Sequence, residues 1–334
     1  MDQIGMAFLD RPTPQEQVRL VKYIEELGYT SAWITETRLA RDAFSILGAF
    51  AATTSRITLG TGIVNSWTRG PALMAVTFAT LNELAPGRII AGIGAYWDPL
   101  AWKQGITRQR PLTQLREYVD VMRRLFALED DVTHETDLIQ VRDISLDLGH
   151  GVAREPIEVP IYLGPTGPKA MQLAGEIADG VLINGLLSTS YTEGAVANIA
   201  TGATRGGRDP SAVEHPQFVN VAMGADPAEA RQEARYLITK YLGQQPHIGK
   251  ASGLDPAFLD RLNEMMGGWP ARPGGVEAAM ELVGDDIVDR LAISGTPDEC
   301  RGRLHEWVDA GASYPIIVPI TSNYDEMANA LADV

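Results

Sequence analysis

Cysteine is almost absent from this 334-residue chain: Cys300 stands alone, can form no internal disulfide, and fits a protein kept in a reducing cytoplasm. Histidine is scarce too. The five (His134, His150, His215, His247 and His305) show no ligand spacing with one another or with Cys300, so solvated or capping roles are expected and a metal is not. Nowhere do about eighteen uncharged apolar residues run together, and MDQIGMAFLD has neither the basic start nor the apolar core of a signal peptide. A membrane span and an export signal are both unexpected. Positive charge is in deficit as well, with 28 Lys and Arg against 43 Asp and Glu and a formal net charge of −15. The far field of such a chain repels phosphate and disfavours nonspecific binding to nucleic acid or an anionic membrane, so any anionic ligand must be held by local groups. No polar, Pro/Ser-rich or low-complexity stretch divides the chain, and its 45% apolar content is enough for one large core.

What the chain has is a repeated unit. IGMAFL (Ile4 to Leu9) is a short apolar run, after which TPQE (Thr13 to Glu16) supplies an N-cap Thr, a proline at the first helical position and a capping-box Glu. Val18, Val21, Ile24 and Leu27 follow at helical spacing, and Gly28 ends the helix. The unit recurs from SAWITE (Ser31 to Glu36), ITLGTGIV (Ile57 to Val64), RIIAGIGA (Arg88 to Ala95), PIYLGP, DGVLING and FVNVAMG. A second box, TPDE (Thr296 to Glu299), opens a helix ending at Gly311 before YPIIVPI (Tyr314 to Ile320). Eight apolar runs, continuous rather than alternating, read as parallel strands covered on both faces. They predict a single-domain (β/α)8 TIM barrel over 1–334, with insertions at about 129–159 and 244–289 long enough to lie over a site.

Barrel enzymes work at the carboxyl ends of their strands, which directs attention to the residues after each run. GPTGPK (Gly164 to Lys169) lacks the spacing of a phosphate-binding P-loop, yet its glycines allow close backbone approach and the helix start that follows suits an anion. An ordinary Gly/Pro turn fits it too. GIGAYW (Gly92 to Trp97) has no third glycine and so fails the dinucleotide fingerprint, though two glycines at a strand end leave room for a flat ligand. LGTGIVNSWTRGP (Leu59 to Pro71) carries two more glycines inside a strand, either for a bulge or for ligand approach. Glu36 and Thr37 can orient a heterocycle or move a proton, and equally can form ordinary salt bridges and hydrogen bonds. Trp67, Trp97 and Trp102 are placed to line a flat pocket, and Trp33 to fill the core. With no nucleophile motif and few acid/base groups, the chemistry must be borrowed from a cofactor.

AWITE, LGTGIVNSWTRGPALMAVTFATLNELAPGRIIAGIGA and SGTPDECRGRLHEWVDAGASYPIIVPI, in that order and spacing, resemble the bacterial luciferase-like superfamily, and within it the F420-dependent methylenetetrahydromethanopterin reductase branch. The resemblance implies a barrel with insertions, dimeric or tetrameric, that binds reduced deazaflavin F420 or FMN and acts on a small organic substrate in the cytoplasm. It implies a bulge with a non-prolyl cis peptide at Gly62–Ile63 beneath the cofactor ring, explaining both glycines of that strand. It also implies cofactor contacts from Glu36, Thr61, Gly62, Ile63, Val64, Asn65, Gly94, Ala95 and Asn184, and a phosphate grip from Gly164, Pro165, Thr166, Gly167, Pro168, Lys169 and Ala170. Trp67, Tyr96 and Trp97 are then the substrate pocket, and Glu36 and Thr37 the catalytic pair. The family commonly has Asp-His where this chain has Glu36-Thr37, and the reductase branch has a Glu where this chain has Ala7. The resulting expectation is an F420-dependent hydride-transferring oxidoreductase; the alternatives are an FMN-dependent monooxygenase and a non-catalytic flavin-binding protein.

Overall fold

Both capping motifs start helices. Thr13 accepts from the Glu16 N–H at the head of Pro14–Glu26, and at Thr296 the box is reciprocal, Glu299 accepting from the Thr296 N–H at 2.7 Å. The second of these helices is broken into Pro297–Arg303 and His305–Asp309 before Gly311 ends it at a φ of 109°. The computed structural model describes residues 2–147, 149 and 155–333.

Those residues form twelve strands: β1 (Gly5–Phe8), β2 (Ser31–Ile34), β3 (Thr58–Thr61), β4 (Val64–Asn65), β5 (Ile89–Gly94), β6 (Val132–Glu135), β7 (Gln140–Ile144), β8 (Ile161–Leu163), β9 (Gly180–Val181), β10 (Gln217–Met223), β11 (Ile293–Gly295) and β12 (Pro315–Pro319). The main sheet is parallel throughout and runs β11-β10-β12-β1-β2-β3-β5-β8-β9, with β4 on β5 as the continuation of β3 past a bulge. Isolated parallel bridges join Gly180 to Glu214 and Ile183 to Gln217, so the edge at β9 curls back onto the start of β10. All eight apolar runs of the sequence lie in this sheet. A ninth place in it, β11, was not expected: three residues against Val221–Met223 are too few to make a pattern.

Helices cover the outer face of the sheet, where most of the core lies, while a second cluster fills the inside of the curl with Ala7, Trp33, Ile90, Tyr162, Leu182, Phe218 and Val318. Trp33 is fully buried there, as expected. It also accounts for Gly60, since a Cβ at that position would lie 2.3 Å from the Trp33 ring. At Gly92 a Cβ would lie 1.7 Å from the Thr61 carbonyl oxygen. Gly60 answers to the packing of Trp33, and Gly92 to the close approach of Thr61 at the entry to the bulge.

The two long segments differ. Within 129–159, β6 and β7 form an antiparallel hairpin held against the helix Pro111–Phe126, with His134 3.3 Å from Glu117 and Arg124 donating to the Thr133 carbonyl at 3.1 Å. This segment joins a helix to the next strand and so sits at the amino ends of the strands; residues 148 and 150–154 of it, His150 included, lie outside the described residues. The segment 244–289 instead folds into the helices Pro246–Ala251, Pro256–Met266, Gly275–Ala279 and Asp285–Leu291 beside Pro227–Gln244; a third apolar cluster holds the last three of these, while Ile248 of the first packs in the main core. Cys300 is buried among apolar neighbours, which pushes its thiol up to about 12 and leaves it unreactive. Among the described residues no helix is long and apolar enough to cross a membrane, and no group of three or more His, Cys, Asp or Glu is placed to hold a metal.

Candidate active site

A cavity of about 460 Å³ opens at the carboxyl ends of the strands. Its floor is apolar, made by Ala7, Ile63, Leu182, Phe218 and Val318. The walls come from the residues after each strand: Thr35 to Arg38 after β2, Gly62, Ile63 and Asn65 at the bulge, Ala95 to Trp97 after β5, Gly164 to Thr166 after β8, and Asn184 to Leu186 after β9.

The bulge is the best-supported part of the site. The Gly62–Ile63 peptide is cis. On one side of it the Thr61 hydroxyl donates to the Gly92 carbonyl at 2.7 Å and accepts from the Gly92 N–H at 3.0 Å. On the other, Asn65 Oδ1 accepts from the Trp67 and Thr68 N–H groups at 3.0 and 2.9 Å, and the Trp67 indole N–H donates to the Ala95 carbonyl at 3.1 Å. Gly94 lacks a side chain where Ile63 packs, 1.7 Å from the place a Cβ would take. Thr61, Val64, Gly94 and Trp67 therefore hold the bulge and the adjoining loop without lining the cavity, and Trp102 is exposed on the outer surface.

Glu36 is half-buried on the cavity wall, with Asn65 Nδ2 3.5 Å from its carboxylate. Burial, reinforced by the negative charge of Asp42, raises its pKa above the usual carboxylate value. Thr37 lines the same wall. At the opposite end, Gly164, Pro165, Thr166 and Ala170 border the cavity, and Tyr191 fixes their loop by donating to the Thr166 carbonyl at 2.6 Å. The helix Pro168–Ile177 begins there with Gly167 as a cap that carries no side chain, so its first-turn N–H groups receive no acceptor from the cap. Gly167, Pro168 and Lys169 themselves do not line the cavity, and Lys169 is exposed.

The roof comes from a helix whose path the sequence does not reveal. The last turns of Pro227–Gln244 bring Leu237, Lys240, Tyr241 and Gln244 to the cavity, followed by Gln245 and His247. The Tyr241 hydroxyl receives Asn184 Nδ2 at 3.3 Å, and Gln244 Oε1 accepts from Arg38 at 3.0 Å, so one helix end is tied beyond both β9 and β2, four places apart in the sheet. His247, expected in a solvated or capping role, is exposed and borders the cavity, and partial desolvation there lowers its pKa. Arg108, from the loop before Pro111–Phe126, was also not foreseen. Asn220 had a signal, a lone amide in the apolar run FVNVAM; its Oδ1 accepts from the Leu186 N–H at 3.1 Å.

A parallel, curled sheet with an apolar-floored cavity at its carboxyl ends defines a ligand-binding α/β protein. The profile of the luciferase-like monooxygenase family matches residues 2–314. The chain belongs to that family. It is 33% identical over 312 residues to a 5,10-methylenetetrahydromethanopterin reductase of Methanolobus tindarius, covering 92% of this chain and 91% of that one. It is 28% identical over 314 residues to an F420-dependent glucose-6-phosphate dehydrogenase of Microbacterium testaceum, covering 89% and 85%. In fold it is similar to the coenzyme F420-dependent tetrahydromethanopterin reductase of Methanopyrus kandleri, with a TM-score of 0.85 at 24% identity over 99% of this chain and 97% of that one.

Proposed function

We propose that the protein is an F420-dependent oxidoreductase that moves a hydride between the deazaflavin and a small organic substrate. The observation that carries this reading is the braced bulge at Gly62–Ile63 under an apolar-floored cavity that leads to an uncapped helix start. The similarity to reductases and dehydrogenases that use F420 supports the same choice.

The residues fit the group. A cavity of about 460 Å³ is in the range that takes a tricyclic heterocycle. Gly62, Ile63 and Asn65 are the platform for the ring, Ala95 and Asn184 border it, and Gly164, Pro165, Thr166 and Ala170 with the N–H groups of the helix start receive its phosphate, with Gly167, Pro168 and Lys169 shaping that turn. Bound there, the deazaflavin supplies a hydride and accepts one back. The chain supplies the rest: apolar walls exclude water, Tyr96 and Trp97 bound the substrate, and Glu36, with Thr37 beside it, exchanges the proton that must accompany the hydride at a heteroatom.

The same reading takes the curled sheet as a complete (β/α)8 barrel and the chain as a single domain, supported by the bridges from Gly180 and Ile183 back to β10. It takes the working form as a cytoplasmic homodimer or homotetramer, supported by the exposed apolar stripe of Leu73, Val76 and Leu84 on the helix Pro71–Leu84.

Titration of the purified protein with F420 and with FMN tests the proposal. Tight F420 binding with turnover of an imine, enone, nitroaromatic, pterin or alcohol substrate is expected. FMN binding with oxygen consumption, or F420 binding with no redox turnover across that panel, would overturn it.

A further inference from the structure

Among the described residues three cations line the cavity, Arg38, Arg108 and Lys240, against one carboxylate, Glu36. That local excess is set in a chain of formal charge −15. Arg38 is bonded to Gln244 and lies 3.4 Å from Asp10. Arg108 is served differently. Its side chain is only 12% exposed, and an ion pair joins Nη1 to Asp98 at 2.8 Å. Asp98 is itself 76% exposed, so water screens that pair. Arg108 Nε is buried and has no hydrogen-bond partner among the described residues.

A guanidinium carries five N–H donors and stays charged, and a buried donor on such a group is costly to leave unmet. With Nη1 engaged by Asp98, Nε is left unmet, and Nε belongs with Nη2 to the edge whose two parallel N–H bonds match the two oxygens of a carboxylate or phosphate. We propose that Arg108 is an oxyanion subsite of this cavity. The oxyanion has two possible sources, the phosphate and carboxylate side chain of F420 or an acidic group on the substrate. The first source rests on the F420 reading, and the subsite itself does not.

Arg108→Gln tests it by binding rather than turnover. Wild type and variant are titrated with F420 and with its phosphate-free deazaflavin core, followed by fluorescence, and the F420-loaded forms with succinate and inorganic phosphate, followed by calorimetry. One charge-assisted fork corresponds to a change of roughly tenfold to a hundredfold in affinity. Loss of that size for F420 with the core unaffected assigns the oxyanion to the cofactor. Unchanged F420 and core affinity with loss of succinate or phosphate binding assigns it to the substrate. If the variant matches wild type for every probe, or loses the core as much as F420, the subsite does not exist.

Asp98→Asn provides a second handle that keeps the guanidinium in place. Removing the competing carboxylate is expected to tighten the same probe by about two- to fivefold; weaker binding counts against the proposal. Failure of the F420 reading is distinguishable, because wild-type protein would then bind neither F420 nor the core. Succinate and phosphate titrated into the unloaded protein would in that case decide the subsite alone.

Discussion

Glu36 was legible because a carboxylate directly after an apolar strand falls at the mouth of a parallel sheet; its raised pKa was not, because that depends on burial and on Asp42 reaching it from the next helix. Two outcomes follow from the direction of the shift. In substrate reduction the protonated carboxyl is the useful form, so the rate should fall as pH rises through the raised pKa, and Glu36→Gln should flatten that limb and cost about 10²–10⁴ in kcat while F420 affinity measured by fluorescence stays within about threefold. For stability the folded state holds the Glu36 proton to higher pH than the unfolded chain does, so this group's contribution declines as pH rises from the ordinary carboxylate value through the raised one. Thermal melts of wild type and Glu36→Gln across that window should converge at its acidic end and separate in favour of the variant at its alkaline end. The backbone of Arg38, Tyr96 and Leu186 was beyond the sequence in another way, although Tyr96 itself was placed in the pocket: all three line the cavity with φ between 48° and 66°, a region where L residues are held only by their surroundings.

Element by element, the strands and helices of the repeated unit were recovered, while the helix Pro256–Met266, periodic as it is, was passed over because it lies in a segment read as an insertion. The sequence could not give β11, three residues long, or the direction of Pro227–Gln244, whose amphipathic spacing says that it packs but not that its end crosses the mouth. That is why Lys240 and Gln244 escaped notice although their helix did not; His247 sits on the next helix, Pro246–Ala251, inside a segment read only as an insertion. The start of Pro168–Ile177 gives the cleanest test at this scale. A Cβ at Gly167 meets nothing within 4 Å and φ there is −102°, so Gly167→Val should fold, with a melting temperature within about 2 °C of wild type. The added bulk stands where an anion would approach the N–H groups, and F420 affinity should drop by about tenfold or more. Unchanged affinity would mean that the phosphate is held elsewhere.

At the scale of the whole molecule, the stripe of Leu73, Val76 and Leu84 makes the assembly testable. Leu73→Asp with Leu84→Asp should convert a dimer or tetramer to monomer in light scattering, with little change in the helical circular dichroism signal, since neither side chain is buried in the monomer. The third apolar cluster has a different consequence. Because Leu254, Leu259, Leu262, Met266 and Val283 pack with one another and with Pro227–Gln244, separately from the interior of the sheet, the segment that helps to roof the cavity has a foundation of its own. A chimera carrying 227–289 from a relative with another substrate should keep F420 affinity within about tenfold while changing which substrates are turned over. In terms of descent, such a protein can change its substrate without re-solving the problem of its cofactor: the bulge and the helix start travel with the sheet, and substrate choice travels on a piece that selection can exchange.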